Sequence, residues 1–404
     1  MNKHQFLILG GGMVAGYAAK ELVERGLKPG ELAIVSADDT LPYERPPLSK
    51  GYLAGEQDLK SIRISDETFY EEHGIEVRLD TTVRALDLKN RTLETASGET
   101  IGFNKLVIAT GAYARRFPDL RETPRGLYYL RSVTDSSLIR DRAHGARQAV
   151  VIGGGFIGME VSSVLARKGI ETTLAMPEER VWESFFTPEM SAFFEKYYKD
   201  RGVRLQRKAN VKSISEMGDR VRVTLESADG LEADLVVAGI GAVPATKLFQ
   251  GSGVQIDRGI VVNEYLETGV EDVWAAGDVT TYHDAIFHRS RHTEHWDNAV
   301  EQGKHVARSL TGERAPFVHV PYFFSDVFDL SYEFWGDTSD ADCVVYRGNL
   351  RKGEFSVWWL KENRLRAAFV MRRPEQERDW AVRFIQSQEP VDAKTLGDES
   401  GTLP

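Results

Sequence analysis

Residues 5–26 read QFLILGGGMVAGYAAKELVERG. An apolar strand runs into three glycines, and a helical pattern follows. Gly10, Gly12 and Ala15 fit the spacing G-x-G-x-x-G/A. In that spacing the first glycine makes a tight turn and the second lets a pyrophosphate approach the backbone. The small third residue lets helix pack on strand. The free N–H groups at the helix start then point at phosphate. The next strand is Leu32–Val35. Asp38 follows about 20 residues past the loop, where an acid meets ribose hydroxyls.

The same arrangement returns at residues 148–169, QAVVIGGGFIGMEVSSVLARKG. Gly153, Gly155 and Gly158 follow a strand over Ala149–Ile152, and Phe156 and Ile157 sit at the turn. A second strand, Glu171–Ala175, leads to Glu178 and Glu179, again about 20 residues on. One such fingerprint is weak evidence. Two, each with strand, helix and trailing acid, predict two dinucleotide folds. The simplest pair of ligands is FAD and a nicotinamide cofactor. Glu178 and Glu179 favour the free ribose hydroxyls of NADH, while the adjacent Arg180 suits the 2′-phosphate of NADPH.

Two further stretches extend the pattern. KLVIATGAYARR (105–116) is a buried strand ending in Ala109, Thr110 and Gly111. EDVWAAGDVT (271–280) is a strand ending near Asp278. Residues at the carboxyl ends of strands in an open sheet face the ligand crevice. Asp278 is suited to accept hydrogen bonds from ribityl hydroxyls.

Composition narrows the classes. The chain has 404 residues, 42% hydrophobic and 28% charged, with a net charge of −10 and one cysteine. Such a length predicts two or three domains. The acidic balance argues against nucleic acid and acidic membrane surfaces as partners. No apolar run approaches the ~20 residues of a membrane span. The first strand begins almost at Met1, which leaves no room for a targeting peptide. A lone Cys343 forms no internal disulfide, consistent with a cytoplasmic location. It also supplies no reactive cysteine pair, so thiol–disulfide reduction by that route is disfavoured. Five histidines lie between His283 and His305, but their spacing fits no zinc pattern and no metal is expected.

The stretch AIVSADDTLPYERPPLSKGYL (33–53) places Pro46 and Pro47 between Arg45 and Lys50. Prolines fix the backbone, so both cations are held in place. Together with GGGMVAG, IATGA, IGGGFIGME, AGIGAVP and WAAGDV, this segment resembles the FAD-dependent pyridine-nucleotide reductases of the glutathione-reductase fold. Within them it is similar to the branch of monodehydroascorbate reductase, oxygenase-type ferredoxin and rubredoxin reductases, and apoptosis-inducing factor. ELAIVS, FFTPEMSAFFEKYYKDRGV and PYFFSDVFDLSYEFWGD look most like monodehydroascorbate reductase. The resemblance reaches to about Gln388.

The resemblance implies an α/β fold with two Rossmann-like dinucleotide-binding domains plus a small α+β C-terminal domain. It implies that Arg45 contacts the FAD, that Pro46 and Pro47 pack on the isoalloxazine ring, and that Lys50 sits near flavin N5. There a cation stabilises the negative charge that develops as hydride arrives. Glu160 corresponds to the family glutamate that pairs with this lysine and meets the nicotinamide carboxamide. Glu294, His295 and Trp296 correspond to the positions bordering the flavin, at the start of a helix whose positive end favours reduced flavin. Val83, Arg116 and Gly241 complete the cofactor-binding set.

The expected organisation is a discontinuous FAD domain, 1–112 and 242–312, with a nicotinamide domain at 113–241. A C-terminal α+β domain spans 313–404. Paired strands are expected around Asp229-Gly230. FSVWWLKENRLRAAFVM reads as a hairpin turning at Glu362-Asn363, PEQERDWAVRFIQSQ as a helix with Pro374 at its start, and the tail after Glu389 as loose.

Three acceptors fit: monodehydroascorbate, an iron–sulfur protein such as ferredoxin or rubredoxin, or a quinone or oxygen. Plant monodehydroascorbate reductases have arginine where this chain has Asp326 and tyrosine near Trp358. Ser325-Asp326 is instead what ferredoxin-reductase relatives show. Phe323, Phe324, Trp358 and Trp359 either line the acceptor face or belong to a core. A flavin redox sensor with slow turnover is the reading from another class. The chain is expected to act as a monomer or homodimer.

Overall fold

The computed structural model describes residues 3–226, 230–399, 401 and 403. The chain forms two compact units. The first comprises Met1–Arg45, Leu59–Tyr113 and Val243–His319; the second comprises Pro46–Asp58, Ala114–Ala242 and Val320–Pro404.

In the first unit, parallel strands line up in the order Glu76–Arg78, Leu32–Val35, Lys3–Leu9 and Thr100–Ile108. Leu7 pairs with Ala33 on one side and Leu106 on the other. Strand Thr100–Ile108 is long enough to serve two further partners. Its start pairs antiparallel with Thr92–Thr95, and its end pairs parallel with Val273–Ala275. Leu7, Ile8, Ile34 and Val107 have no exposed surface, as expected for parallel strands covered on both faces. Helix Met13–Glu24 covers one face and packs against helix Trp296–Leu310. The two helices approach closely because position 303 is glycine. A Cβ there would lie 2.9 Å from the Val14 carbonyl oxygen.

In the second unit, a five-stranded parallel sheet runs Arg204–Gln206, Glu171–Ala175, Gln148–Ile152, Leu235–Ala238, Leu127–Tyr129. Helix Phe156–Arg167 follows its central strand. A three-stranded antiparallel sheet over Val211–Met217, Arg220–Leu225 and Leu231–Ala233 adjoins it. The turn expected at Asp229-Gly230 lies partly outside the described residues, since Asp229 is not among them.

The same unit carries a five-stranded antiparallel sheet in the order 322–327, 330–336, 364–371, 354–361, 343–349. Its hairpin turns at Glu362 and Asn363, whose φ values of 48° and 59° match the two left-handed positions of a tight hairpin turn. Helix Glu375–Ser387, capped by Pro374, packs on this sheet. Each large apolar side chain buried there contributes about 1.5–3 kcal/mol.

One expectation is corrected, and one open alternative is decided. The described residues 390–399 of the tail are docked, not loose. Residues Ala393–Gly397 form a short helix whose Leu396 is fully buried. The buried Arg347 guanidinium donates to the carbonyls of Leu396, Asp398 and Gly401. Trp358 and Trp359 are core residues, not a surface face. Trp358 is fully buried edge-on to Trp380, and Trp359 packs on Phe334.

Candidate functional site

The two glycine turns are built alike, one in each unit. Gly10 and Gly153 have φ values of 124° and 113°, which L side chains rarely adopt. A Cβ on Gly10 would sit 2.1 Å from the Ala109 oxygen, and one on Gly153 would sit 2.2 Å from the Gly239 oxygen. The turn glycine is therefore demanded by the neighbouring strand. The second glycine is different. Gly12 and Gly155 have ordinary φ values of −92°. A Cβ on Gly155 would meet nothing within 4 Å, and one on Gly12 only the Arg45 guanidinium at 3.9 Å. The protein does not need these glycines for its own packing. What they keep open is the space before a helix N-terminus. Both helices begin with no side-chain cap, leaving backbone N–H donors for an anion. At the third position, a Cβ on Gly158 would lie 1.7 Å from the Gly153 oxygen, while the first turn holds Ala15, fully buried, at the corresponding place.

In the second unit, the carboxylate of Glu178 lies at its glycine turn, 3.4 Å from where a Gly154 Cβ would be. Its Oε2 is shielded from solvent and has no hydrogen-bond partner among the described residues. The neighbours are already engaged. Glu179 pairs with Lys208 at 2.7 Å on the surface. The Arg180 guanidinium donates to Phe186 O at 2.5 Å, Ser191 Oγ at 2.9 Å and Glu183 O at 2.9 Å. Gly241, at φ 101°, accepts the Arg115 N–H at 2.9 Å. Arg116 is exposed, its guanidinium over the Tyr129 ring at 5.4 Å.

The proline-stiffened segment also belongs to the second unit. Pro46–Ser49 form one tight helical turn, closed by Lys50 N–H to Pro47 O at 3.0 Å. Ser136 Oγ donates to Leu48 O at 2.7 Å and anchors the turn to helix Val133–Ala143. Lys50 Nζ then reaches Glu160 Oε1 at 2.8 Å and lies 5.2 Å from the Phe324 ring centre. Glu160 is buried. Its Oε1 also accepts Ser325 Oγ at 2.6 Å, and its Oε2 accepts Ser49 Oγ. A buried carboxylate is tolerable when paired and hydrogen-bonded in this way. Burial, reinforced by the Glu160 charge, pushes the phenols of Tyr198 and Tyr332 well above their usual range.

In the first unit, Asp38 Oδ2 lies 3.7 Å from the Arg45 guanidinium, which stacks over Tyr43 at 4.8 Å. Glu44 is clamped from two sides. Tyr17 OH donates to it at 2.6 Å and Trp296 Nε1 at 2.5 Å. Asp278 is buried and follows strand Val273–Ala275. Glu294 accepts from His292 at 3.0 Å. Burial pushes the His295 imidazole down to about 4, against the opposing pull of Asp278. Thr110 Oγ1 donates to Ala245 O at 3.1 Å beside Gly111. Val83, on strand Val83–Asp87, packs against the core of this unit. Among the described residues, no group of three or more His, Cys, Asp or Glu side chains gathers as a metal site.

A family model described as pyridine nucleotide-disulphide oxidoreductase matches residues 4–303. The chain belongs to that family. A second model, reductase C-terminal, matches residues 322–404. Monodehydroascorbate reductase 3 of Arabidopsis thaliana is 33% identical over 98% of this chain and 96% of its own length. The peroxisomal monodehydroascorbate reductase 4 of the same plant is 36% identical, covering 96% of this chain and 83% of its own. A crystal structure of the covalent putidaredoxin reductase–putidaredoxin complex matches with a TM-score of 0.94 at 30% identity, covering 98% of this chain and 96% of that one. The ferredoxin reductase for the CYP199A2 system from Rhodopseudomonas palustris matches with a TM-score of 0.93, also at 30% identity, over 99% and 98%.

Membership makes the chain an FAD-dependent NAD(P)H oxidoreductase of the two-Rossmann fold with an added C-terminal domain. The residues present fit both cofactors. Each glycine turn leaves a backbone cradle that a Cβ would fill, and each faces uncapped N–H donors. The shielded Glu178 oxygen has the acceptor chemistry that a ribose diol needs. The single cysteine, exposed Cys343, excludes an internal redox disulfide despite the family's name.

Sequence reasoning missed the Ser49 and Ser325 hydroxyls on Glu160. Ser49 adjoins Lys50 and was within reach of the motif. Ser325 lies 165 residues from Glu160, and the Ser325-Asp326 likeness marked it for the acceptor side and not for this carboxylate.

Proposed function

We propose that the chain oxidises NADH in preference to NADPH and passes the electrons, through FAD, to monodehydroascorbate. When bound, FAD and NADH supply hydride transfer between nicotinamide and flavin, and electron release singly or as a pair. The chain's own residues do the rest. Gly10, Gly12 and Ala15, with Asp38, Arg45, Ala109, Thr110, Gly111 and Asp278, would hold FAD. Gly153, Gly155, Phe156, Ile157 and Gly158, with Glu178 and Gly241, would hold the nicotinamide dinucleotide. Glu294, His295 and Trp296 would border the flavin, with Pro46, Val83 and Arg116 at its margins. The division into an FAD domain at 1–112 and 242–312, a nicotinamide domain at 113–241 and a C-terminal domain at 313–404 goes with this assignment.

The observation that carries the first half-reaction is the ion pair between half-buried Lys50 and buried Glu160 at 2.8 Å. Glu160 holds the Lys50 ammonium in place and leaves it no freedom to turn away. A fixed positive charge costs no reorganisation when negative charge develops nearby. NADH is favoured over NADPH because Glu178 offers an unengaged carboxylate oxygen, whereas Arg180 is consumed by Phe186, Ser191 and Glu183.

For the acceptor, the support is the full-length likeness to proteins named monodehydroascorbate reductase. A ferredoxin-type iron–sulfur protein is the second reading. Asp326 favours it, because a carboxylate repels the anionic ascorbyl species. Trp358, buried in the sheet, says nothing about either acceptor. A cytoplasmic site of action fits the lone cysteine, and relatives carry both cytosolic and peroxisomal names.

The test is turnover of the holoenzyme with NADH and enzymatically generated ascorbyl radical, with ferredoxin, and with ferricyanide as a general oxidant. Fast turnover with ascorbyl radical supports the first reading. Rapid flavin reduction with efficient turnover on ferredoxin alone replaces it with the second.

A further inference from the structure

We infer that Ser325 and Ser49 are positioning residues that hold the Glu160 carboxylate charged and fixed in rotation against Lys50. The antiparallel C-terminal sheet thereby takes part in the reaction with NADH, as well as forming a domain of its own. This deepens the reading of Lys50–Glu160 given above and rests on it.

Three segments far apart in the chain converge on one carboxylate. Glu160 comes from helix Phe156–Arg167, at the second glycine turn. Ser49 and Lys50 come from the proline-stiffened turn, and Ser325 from the edge strand Tyr322–Val327. The two oxygens are treated differently. Oε1 receives Lys50 at 2.8 Å and Ser325 at 2.6 Å, while Oε2 receives Ser49. The last torsion of a glutamate side chain is broad and nearly two-fold. Lysine alone, a point charge with rotatable donors, does not set the plane of the carboxylate. Donors on both oxygens do.

The hydroxyls have a second effect. Hydrogen bonds to a carboxylate favour its charged form, while burial disfavours it. Two neutral donors sustain the charge without adding a competing cation, and among the described residues Lys50 is the cation paired with Glu160. Phe324, next to Ser325 on the same strand, packs under the Lys50 ammonium at 5.2 Å. Neighbouring residues of one strand therefore touch both members of the pair. Phe328 N–H to Ser163 Oγ, 3.3 Å, ties the end of that strand to the helix bearing Glu160. The other titratable groups facing the carboxylate are Tyr198 and Tyr332, both kept protonated by burial. Asp326 adds a negative charge felt at Tyr332.

The experiment compares Ser325→Ala, Ser325→Thr, Ser49→Ala and Glu160→Gln with the parent holoenzyme. Flavin reduction by NADH is followed by stopped flow across pH. The expected result for Ser325→Ala is an acid limb displaced to higher pH, the direction set by losing one hydrogen bond to a charged group. NADH affinity should change less than twofold, and Ser325→Thr, which keeps the hydroxyl, should restore the profile. Ser49→Ala should shift the limb in the same direction. A readout independent of turnover is the carboxylate stretch of Glu160, isolated as the infrared difference between each protein and its Glu160→Gln counterpart. Loss of the Ser325 hydrogen bond should move that difference band away from its parental position, and Ser325→Thr should return it. Flavin content and thermal midpoint serve to separate this from a folding defect. If both serine variants superimpose on the parent in rate profile and infrared difference band while Glu160→Gln is slow, the inference is wrong and the reading of the pair stands. If Glu160→Gln reduces at the parent rate, that reading fails first.

Discussion

Replacing Glu178 by alanine should collapse the discrimination between NADH and NADPH without creating a good NADPH enzyme. The magnitude follows from the geometry. Glu178 Oε2 is shielded from water and engages no other group among the described residues, so a ribose hydroxyl donating to it displaces nothing of comparable strength. A hydrogen bond to a charged acceptor is worth about 1.5–3 kcal/mol, or roughly 10- to 150-fold in kcat/KM. A 2′-phosphate brought to about 4 Å of the same carboxylate is repelled by about 4 kcal/mol per charge at an effective dielectric near 20, before salt screening. The parent should therefore prefer NADH by at least about a hundredfold. In Glu178→Ala, kcat/KM for NADH should fall by about 10- to 100-fold, and that for NADPH should rise. Arg180 will not complete the switch, because its donors are held by Phe186, Ser191 and Glu183. The assay is steady-state ferricyanide reduction with each nucleotide at fixed ionic strength. A parent that uses NADPH as well as NADH, or a variant whose nucleotide ratio is unchanged, would refute the assignment.

Gly155→Ala should fold with an unchanged thermal midpoint, because a Cβ there meets nothing within 4 Å, yet its KM for NADH should rise about tenfold or more as the pyrophosphate is pushed off the turn. Gly12→Ala should likewise fold and be purified with little flavin; yellow protein at parental stoichiometry would contradict the cradle. Arg347→Ala removes a guanidinium that pairs with buried Glu377 at 3.2 Å and binds three tail carbonyls. It should cost about 2–4 kcal/mol, less than a bare buried pair because Arg373 still contacts Glu377, and it should speed proteolysis after Glu389. His295 has a folded pKa of about 4 against an ordinary 6.5, so the unfolded chain binds more protons between those values. Its contribution to stability is present above about pH 6.5 and lost as pH falls toward 4, at most about 3 kcal/mol. A thermal-midpoint slope over that range unaltered by His295→Asn would contradict this.

Much of the fold was legible because its signals are local. Parallel strands buried on both faces read as short apolar runs, and Leu32–Val35 and Glu171–Ala175 fall where those runs lie. The hairpin at Glu362-Asn363 follows from its place between two apolar strands and from Asn363, a residue that tolerates left-handed backbone. The tail was misread because its polar composition hides one anchor, Leu396, whose burial depends on Arg347 some fifty residues earlier. Trp358 and Trp359 were ambiguous for a related reason. An aromatic pair on a strand looks the same whether its faces meet solvent or a helix, and here Trp380 covers Trp358.

The amino-acid sequence by itself determined the kind of chemistry. Two glycine turns with trailing acids, a cation stiffened by prolines and one cysteine specify two dinucleotides and exclude an internal disulfide, because phosphate cradles and redox thiols need particular residues at short, fixed spacings. Only the tertiary structure decided which of two adjacent glutamates has an oxygen to offer, that Arg180 is spent on its own loop, and that Ser325 joins Ser49 and Lys50 on Glu160. The Glu160 cluster depends on which donors reach a carboxylate within 3 Å. That proximity is set by the packing of chain segments more than a hundred residues apart.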